Sequence, residues 1–389
     1  MGYYTPEEEK FRYDLREALK EDVVPYTEEI EEGKIEIWDV IRRFAKRGYL
    51  GVMYPEAYGG LGKGLMEFII VCEEVSAVSL AVDMSMTASA YGFGALPGYL
   101  GKDVERYLTP IIKGEKVGSF CYTEPDAGSD LSRMKTVARK EDDEYVLNGE
   151  KRFIGNGSIA DYLLVYARNG AFVVESAWDG FEVVEEYRMM GLHGLHLGHM
   201  KFNDVRVPED NVVFYTGEEK TKVKVEGEEK KRAGATNMFA LMLGPERAYI
   251  SAECLGVARA AFEAALKYST ERVQFHRHIS EFEGISFKMA EMATKLEAMR
   301  LMTINAVKAV DTDFMKSGKV AAMAKLFNAT EGFDICNEAL QIFAGSGYTC
   351  QSPVERYLRD IRLLGIGGGT NEIMKYAIQR DLYKELEDG

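Results

Sequence analysis

The spacing of the apolar residues changes twice along this chain, and these two changes limit the folds that are open to it. Over residues 1–117 the apolar residues recur every three or four positions, which is the period of a helix. Over 118–231 the runs YLLVYA, AFVVE and MKFNDVRV are typical of strands, and over 232–389 the helical spacing returns. The pattern predicts an α+β multidomain protein with an N-terminal helical domain, a central antiparallel β-domain and a C-terminal helical domain.

Shorter signals predict where individual elements turn or begin. The pairs Asn148-Gly149 and Asn169-Gly170 lie between strand-like runs, and Asn-Gly favours the two-residue turn of a β-hairpin. Pro245 is suited to the first position of a helix. The charged insertion near 215–232 carries both signs, so it is either a solvated surface hairpin or loop, or a segment with a role in gating or partner binding.

Composition excludes several classes of protein. The chain of 389 residues is 46% hydrophobic, yet its longest apolar runs, such as Phe68–Cys72, are far shorter than the ~18 residues of a membrane span. A net charge of −15 disfavours nucleic acid, because phosphate contacts rely on Lys and Arg. The five cysteines form no CxxC pair, which favours reduced thiols over disulfides. Since the first residues are acidic where a signal peptide is basic, we expect a soluble cytoplasmic protein with no membrane and no nucleic-acid partner.

Five sequence blocks that together span nearly the whole chain occur in one order. They are GYLGVMYPEAYGGLG at 48–62, CYTEPDAGSD at 121–130, LNGEKRFIGNGSIADY at 147–162, FNDVRVPEDNV at 202–212 and QIFAGSGYTCQSPVERYLRDIRLLGIGGGTNEI at 341–373. With these blocks in this order, the chain resembles the acyl-CoA dehydrogenase family.

The resemblance implies a flavoenzyme that holds FAD tightly and forms a double bond between Cα and Cβ of an acyl-CoA thioester. In such enzymes a base takes the α proton while a hydride leaves Cβ for flavin N5, and an electron-transfer flavoprotein then receives the electrons. The resemblance also implies a C-terminal four-helix bundle, assembly as a homotetramer (or dimer of dimers), and a place in fatty acid or amino acid catabolism.

The resemblance further assigns residues to the cofactor. Thr123 is expected at the pyrimidine edge of the flavin, Ser129 at the pyrophosphate and beside the substrate, and Phe153 over the flavin ring. Arg272 is expected to reach the pyrophosphate of FAD held by a neighbouring subunit, a contact that suits a guanidinium fork. Alone, these residues also fit an ordinary turn, a core aromatic and a helix-end charge. The full expected set is Tyr122, Thr123, Gly128, Ser129, Phe153, Gly155, Arg272, Gln274, Phe275, Gln341, Gly345, Thr370 and Glu372.

The chain departs from the family pattern beside the flavin. Where the family usually carries a Thr or Ser that bonds flavin N5, this sequence has Gly155. Either a backbone N–H or the nearby Ser158 could take over that bond. Two further departures are His276 in place of Gly and Glu283 in place of Gln.

The catalytic base has two possible positions in the family. In many members the base is the glutamate of a Tyr-Glu-Gly-Thr segment. This sequence has Gly368 at the equivalent position. Isovaleryl- and long-chain acyl-CoA dehydrogenases instead carry a Glu-Arg pair ten residues before a helix glycine, and Glu246-Arg247 precedes Gly256 by that spacing. Glu246 is therefore the candidate base. The alternative is an acid that only stabilises the first turn of a helix that begins at Pro245.

Two neighbours complete the expected catalytic site. The backbone N–H of Gly368 is expected to bond the thioester oxygen, which needs no side chain. Arg247 is expected to shape the substrate pocket, or else to be a surface charge. The placement of the base at Glu246 leans towards branched or longer acyl groups.

The histidines His193, His196 and His199 have the spacing HxxHxxH, which invites a metal reading. No thiolate or acid completes a ligand set, so no metal is expected. We expect the three histidines either to line the approach of the acyl-CoA or to pack at the surface. Two other functions stay open: a related flavoprotein with altered elimination chemistry, and a catalytically inactive module that binds flavin or acyl-CoA.

Overall fold

The computed structural model describes residues 2–94, 104–217, 222–225, 228–231, 235–314 and 317–388. Along these residues helices come first, then strands, then helices again, which confirms the order predicted from the apolar spacing. No helix of the described residues is both long enough and apolar enough to cross a bilayer.

Helix α4 (Leu65–Val78) packs against α1 (Pro6–Asp22) and α5 (Leu80–Met86), and it carries the acidic pair Glu73 and Glu74. The first helix begins with a capping box, in which the Thr5 hydroxyl accepts the Glu8 N–H and the Glu8 carboxylate accepts the Thr5 N–H. Thr87–Phe93 and Val104–Leu108 are π-helical. The α-helices are α1 (Pro6–Asp22), α2 (Thr27–Glu31), α3 (Ile37–Ala45), α4 (Leu65–Val78), α5 (Leu80–Met86) and α6 (Thr109–Ile112).

The central domain consists of two four-stranded sheets that pack their apolar faces on one core, which includes Leu147, Phe172 and Phe202. The sheets have the orders β1-β4-β5-β8 and β2-β3-β7-β6. All these pairs are antiparallel except β1 with β4, which is parallel, so the expectation of an antiparallel domain is wrong at this edge strand. The strands are β1 (Gly118–Cys121), β2 (Val137–Glu141), β3 (Glu144–Gly155), β4 (Tyr162–Ala167), β5 (Gly170–Glu175), β6 (Phe181–Glu186), β7 (Leu197–Pro208) and β8 (Val212–Tyr215).

The first Asn-Gly pair does not form the predicted turn. Asn148-Gly149 lies inside β3, where the register against β7 shifts. The Asn148 side chain donates to Asp204 at 2.9 Å and accepts the Asp204 N–H at 3.0 Å, so its amide ties two strands together. The turn before β3 instead contains Asp142, which takes a positive φ of 51°.

The second Asn-Gly pair is at a hairpin, shifted by one residue from the prediction. Ala167 pairs with Gly170, so Gly170 is the first residue of β5 and the turn consists of Arg168-Asn169. The charged insertion contains a further antiparallel pair, β9 (Lys222–Val225) and β10 (Glu228–Lys231). Its residues 218–221, 226–227 and 232, and the following residues 233–234, lie outside the described residues.

The C-terminal domain is built on one long helix, α7 (Ala235–Glu271), which packs against α4 of the N-terminal domain and against α8 and α9. Pro245 lies inside this helix, so the prediction that a helix begins there is wrong. The described part of the domain has five α-helices, one more than a four-helix bundle. Besides α7 they are α8 (Glu283–Thr312), α9 (Gly318–Phe343), α10 (Pro353–Leu364) and α11 (Asn371–Asp388), with the short strands β11 (Val273–Gln274) and β12 (Arg277–His278) after α7.

Candidate active site

Glu246 is a buried acid on α7, with only 8% of its surface exposed. Because α7 begins at Ala235, Glu246 lies well beyond the first turn, where the helix dipole acts. The dipole alternative therefore does not account for this acid. Burial raises the pKa of Glu246 to about 7, although the charges of Arg247 and Lys325 pull it down.

Four tyrosines surround Glu246 closely enough for its charge to act on them. Burial first, and the negative charge of Glu246 in addition, raise the pKa of each: Tyr91, Tyr122, Tyr166 and Tyr249. The rings of Tyr91 and Tyr249 meet edge to face at 5.1 Å, and those of Tyr122 and Tyr166 at 5.0 Å. Since these rings come from all three domains, the pocket around Glu246 exists only in the assembled chain.

The glycine loop between α10 and α11 lies beside Glu246. A Cβ atom built on Gly368 would stand 3.5 Å from Glu246 Oε1 and 2.2 Å from Ile250 Cδ1. Gly368 and Gly369 have φ of +61° and +90°, conformations that favour glycine. The two base positions known in the family therefore meet here, with Ile250 in the space that a side chain at 368 would need.

Arg247 is buried rather than a surface charge. One of its guanidinium nitrogens donates to the Gly318 carbonyl at 3.4 Å, at the start of α9. Burial lowers the pKa of Arg247, while Glu246 opposes that shift. The side chain thus packs between α7 and α9 directly beside the candidate base.

The segment from Thr123 to Ser129 is held in place by a buried ion pair that the sequence analysis missed. Lys151 of β3 is fully buried and donates to the Glu124 carboxylate at 2.8 Å and to the Tyr122 carbonyl at 2.9 Å. Glu124 also accepts two backbone N–H groups, from 135 and 136. Burial raises the pKa of Glu124, but Lys151 and these hydrogen bonds outweigh it and lower the pKa overall. Since Lys151 stands between Glu150 and Arg152, no local pattern in the sequence indicated that it is buried.

The face above this segment is open. Ser129 is exposed and Thr123 is partly exposed. A Cβ at Gly128 would meet only Thr123, at 3.9 Å, and a Cβ at Gly155 would meet only Ala88, at 3.6 Å. Open glycines beside accessible hydroxyls suit the close approach of a flat cofactor, so these residues fit the FAD that the resemblance implies.

Phe153 is 55% exposed, so it is not a core aromatic. It has a positive φ of 57° and packs against Tyr187 at 5.0 Å, with the Arg152 guanidinium over the ring. An exposed, tethered ring beside the open glycines is suited to stacking on a flavin.

The backbone around Gly155 is firmly held. The Ser119 hydroxyl donates to the Gly155 carbonyl at 2.7 Å, and the Asn156 amide donates to the Ser85 carbonyl at 2.8 Å. Ser158, the other candidate for the N5 bond, donates its hydroxyl proton to Glu186 instead. A backbone group is therefore the better candidate for that bond.

The remaining expected cofactor residues form exposed groups in the C-terminal domain. Arg272, Gln274 and Phe275 lie on the β11–β12 hairpin just after α7, and Phe275 is 85% exposed. Gln341 and Gly345 are exposed around the end of α9, as is Glu372 in the first turn of α11. The Thr370 hydroxyl accepts the N–H of residue 373 at 3.3 Å and caps α11.

The three clustered histidines each pair with glutamate. Among the described residues, no group of three His, Cys, Asp or Glu side chains could hold a metal ion. The pairs are His193 with Glu31 at 2.9 Å, His196 with Glu36 at 3.2 Å and Glu186 at 3.1 Å, and His199 with Glu150 at 2.6 Å.

Models of three domains match consecutive parts of the chain. They are described as acyl-CoA dehydrogenase N-terminal domain (residues 5–115), middle domain (119–205) and C-terminal domain (234–383).

Curated relatives match over nearly their full length. A 3-(aryl)acrylate reductase of Clostridium sporogenes is 32% identical over 98% of this chain and 100% of the relative. A benzylmalonyl-CoA dehydrogenase of Aromatoleum aromaticum is 34% identical over 97% of this chain and 98% of the relative. Among solved structures, butyryl-CoA dehydrogenase from Megasphaera elsdenii superposes with a TM-score of 0.85 at 29% identity, covering 98% of this chain and 99% of that one.

Proposed function

Because the chain belongs to the acyl-CoA dehydrogenase family, we propose that it uses FAD to dehydrogenate an acyl-CoA thioester between Cα and Cβ, with Glu246 as the base for the α proton. The observation that carries this proposal is the buried carboxylate of Glu246 opposite Gly368, with a pKa of about 7. A general base works best when its pKa is near the working pH.

The chain's own groups divide the work around the substrate. Glu246 takes the α proton, and its apolar aromatic surroundings keep water away from the carboxylate. The Gly368 N–H donates to the thioester oxygen, where negative charge develops as the proton leaves. Arg247 and Ser129 are the proposed substrate contacts. FAD, when bound, would supply the acceptor for the hydride that leaves Cβ.

FAD is proposed to bind to the exposed and open residues of the middle and C-terminal domains. Thr123, Ser129, Phe153 and the backbone at Gly155 hold one cofactor. At ~1.5 Å of helix rise per residue, Arg272 lies roughly 35–40 Å along α7 from Glu246. That span supports a contact between Arg272 and the FAD of a neighbouring copy, and hence a homotetramer or dimer of dimers.

An electron-transfer flavoprotein is the proposed acceptor. One relative, 33% identical over 98% of this chain, is named as subunit CarC of a caffeyl-CoA reductase-Etf complex.

The named relatives act on aryl, benzylmalonyl and cyclohexene groups as well as on short chains, so the acyl group is best found by experiment. The position of Glu246 favours a branched or longer group and a role in fatty acid or amino acid catabolism. All five cysteines are free thiols, which supports a cytoplasmic location.

Altered elimination chemistry is the second candidate, favoured by the side chain missing at Gly155. An inactive binding module is disfavoured, because a buried acid with a raised pKa costs stability and is typical of a working site.

Anaerobic mixing of the FAD-loaded protein with a panel of acyl-CoA thioesters tests the proposal. A dehydrogenase bleaches the flavin with at least one thioester, and the product is the α,β-unsaturated thioester. Release of another group from the thioester would support altered elimination chemistry. Failure of every thioester to reduce the flavin, with binding intact, would support the inactive module.

A further inference from the structure

Lys325 is an unusual residue in the C-terminal domain. It lies on α9 with 0% of its surface exposed, and lysine is almost never fully buried unless it is paired with an acid. Among the described residues its ammonium donates one hydrogen bond, of 2.6 Å, and the acceptor is the Gly369 carbonyl rather than a carboxylate. Burial lowers the pKa of Lys325 to about 8. A buried cation that lacks a bonded anion is costly, so its position calls for an explanation.

The bond from Lys325 holds the middle of the glycine loop. Near its start, the Gly367 N–H donates to the Leu363 carbonyl at 2.8 Å, and after it Thr370 caps α11. Between these anchors, Gly368 and Gly369 both have positive φ, a flexible conformation that glycine readily leaves. The Lys325 bond to the Gly369 carbonyl fixes the peptide between residues 369 and 370, two peptides after the one that carries the Gly368 N–H.

The same ammonium acts on Glu246. Its charge lowers the pKa of Glu246, second to the effect of Arg247. A Cβ at Gly368 would stand 3.5 Å from Glu246 Oε1, so loop and base border the same space. The titratable and charged groups that act with Lys325 are Glu246, Arg247, Glu253 and Cys254 on α7 and Glu372 on α11.

We propose that Lys325 is a positioning residue for the dehydrogenation: its ammonium holds the Gly369 carbonyl, which aims the Gly368 N–H at the thioester oxygen, and its charge favours the ionised form of Glu246. One buried cation thus serves both the donor and the base. The inference rests on the proposed roles of Gly368 and Glu246.

The alternative is that Lys325 only satisfies a buried carbonyl. A purely structural residue would change the stability of the fold, but not the titration of the base or the acidity of the bound substrate. The test therefore compares three variants in the FAD-loaded full chain. Lys325→Met removes charge and donor, Lys325→Gln removes charge but can still donate, and Lys325→Arg keeps both.

Two measurements separate these cases. The first is the rate of anaerobic flavin reduction against pH, at saturating acyl-CoA. The second uses a 3-thia acyl-CoA, which loses its α proton but passes no hydride, so that absorbance follows deprotonation of the bound analogue without turnover. For Lys325→Met we expect a rate loss of about 10²-fold, a pH midpoint displaced upward and weaker deprotonation of the analogue. Lys325→Gln should show the same upward midpoint with a smaller rate loss, and Lys325→Arg should regain most of both.

Wild-type pH midpoints and analogue deprotonation in Lys325→Met would overturn the inference. If Lys325→Met does not fold, Lys325→Gln decides, because a wild-type midpoint in that variant excludes the charge effect. Glu246→Gln, measured in parallel, separates this inference from the proposed function. Normal flavin reduction in Glu246→Gln would sink the base assignment itself, whereas a dead Glu246→Gln beside a normal Lys325→Met would sink only the role of Lys325.

Discussion

The neighbouring helices α4 and α7 each bury acidic side chains, but the pKa values of these acids shift in opposite directions. On α4, Glu73 accepts hydrogen bonds from Arg259 and Arg300, and Glu74 is bonded by Arg12 and Arg259. Burial raises the pKa of Glu73, but these guanidinium groups outweigh it and lower the pKa to about 2.

The buried acids around α7, which are Glu246, Glu253 and Asp83, are bonded to no arginine among the described residues. Burial raises the pKa of Glu246 to about 7. Glu253 and Asp83 of α5 face each other, and burial raises the pKa of Asp83 to about 8, although Ser76 donates to it at 3.0 Å. Both groups of acids are buried, but their pKa values differ. Glu73 on α4 stays charged at neutral pH, whereas Glu246 on α7 and Asp83 on α5 titrate near pH 7 to 8. The difference lies in the arginines, whose forks supply both charge and hydrogen bonds.

The two groups of buried acids have different consequences for the molecule. The acids of α4 tie Arg12 of α1 to Arg259 of α7 and Arg300 of α8, and so join the two helical domains. The buried acids of α7, Glu246 and Glu253, lack this neutralisation, so burial raises the pKa of both. At about 7, the pKa of Glu246 lies in the range where a general base works best.

The largest expected effect comes from removing the proton acceptor on α7. Glu246→Gln keeps the size and polarity of the side chain but removes its basicity, so flavin reduction should slow by ~10²–10⁴-fold. FAD and acyl-CoA should still bind. Stopped-flow flavin absorbance measures the rate. Glu263→Gln, an exposed acid on the same helix, is the matched control and should reduce its flavin at the wild-type rate. Near-normal reduction in Glu246→Gln would revive altered elimination chemistry.

Moving the base tests whether Gly368 and Glu246 face one substrate carbon. Gly368→Glu added to Glu246→Gln should recover little activity, because the new Cβ would stand 2.2 Å from Ile250 Cδ1. Adding Ile250→Ala to that pair makes room, and we expect a larger but partial recovery, since φ of +61° strains any side chain at 368. Equal activity with and without Ile250→Ala would contradict this geometry.

Breaking the neutralised cluster on α4 should cost stability rather than chemistry. Glu73→Gln removes the carboxylate bonded to Arg300 and one of the two bonded to Arg259. Breaking a buried ion pair in this way typically costs ~3–5 kcal/mol. Urea unfolding measures the change, and flavin reduction per folded molecule should stay at the wild-type value. A variant as stable as the wild type would mean that this cluster does not hold the helical domains together.

Arg272 lies outside both acid groups, so its substitution should change neither the pH behaviour nor the unfolding of the FAD-free chain. Arg272→Ala should weaken FAD retention, because a charged hydrogen bond to pyrophosphate contributes ~1.5–3 kcal/mol. Flavin content after dialysis measures retention, and Arg272→Lys tests whether charge alone is enough. Unchanged flavin content in Arg272→Ala would count against the proposed contact.

A further effect, spread over several pH units, is a pH dependence of stability that has opposite signs in the two groups. The folded chain holds a proton on Asp83 up to about pH 8, whereas the unfolded chain releases it near the ordinary pKa of 3.8, so Asp83 disfavours folding increasingly as pH rises between these values. Glu73 does the reverse, because its stabilising charge is present above the ordinary pKa of 4.5 and is lost as pH falls towards 2.

We therefore expect Asp83→Asn to raise the melting temperature relative to the wild type, and to raise it more at pH 8 than at pH 5. The Asn side chain can still accept the hydrogen bond from the Ser76 hydroxyl. Thermal melts at both pH values measure this difference. Asp39→Asn, at an exposed acid, serves as the control. The same difference between pH 5 and pH 8 in both variants would contradict the assignment to Asp83.

Local patterns anticipated the helices and most strands, but not how they turn. Asn148-Gly149 carries a strong turn signal, yet its amide bonds Asp204 of a distant strand and the pair stays inside β3. Pro245 resembles a helix start, yet α7 runs through it. At Asn148 a contact with a residue far along the chain outweighs the local preference.

The sequence by itself determined the order of helical and sheet domains, the family resemblance and the choice of Glu246 over Gly368 as candidate base, because periodicity and motif spacing are local properties. Only the tertiary structure decided that Glu246 has a raised pKa, that Lys151 and Lys325 are buried, and that Ile250 occupies the space beside Gly368. A pKa depends on the solvent excluded and the charges nearby, and here those come from elements of all three domains. No local pattern contains that information.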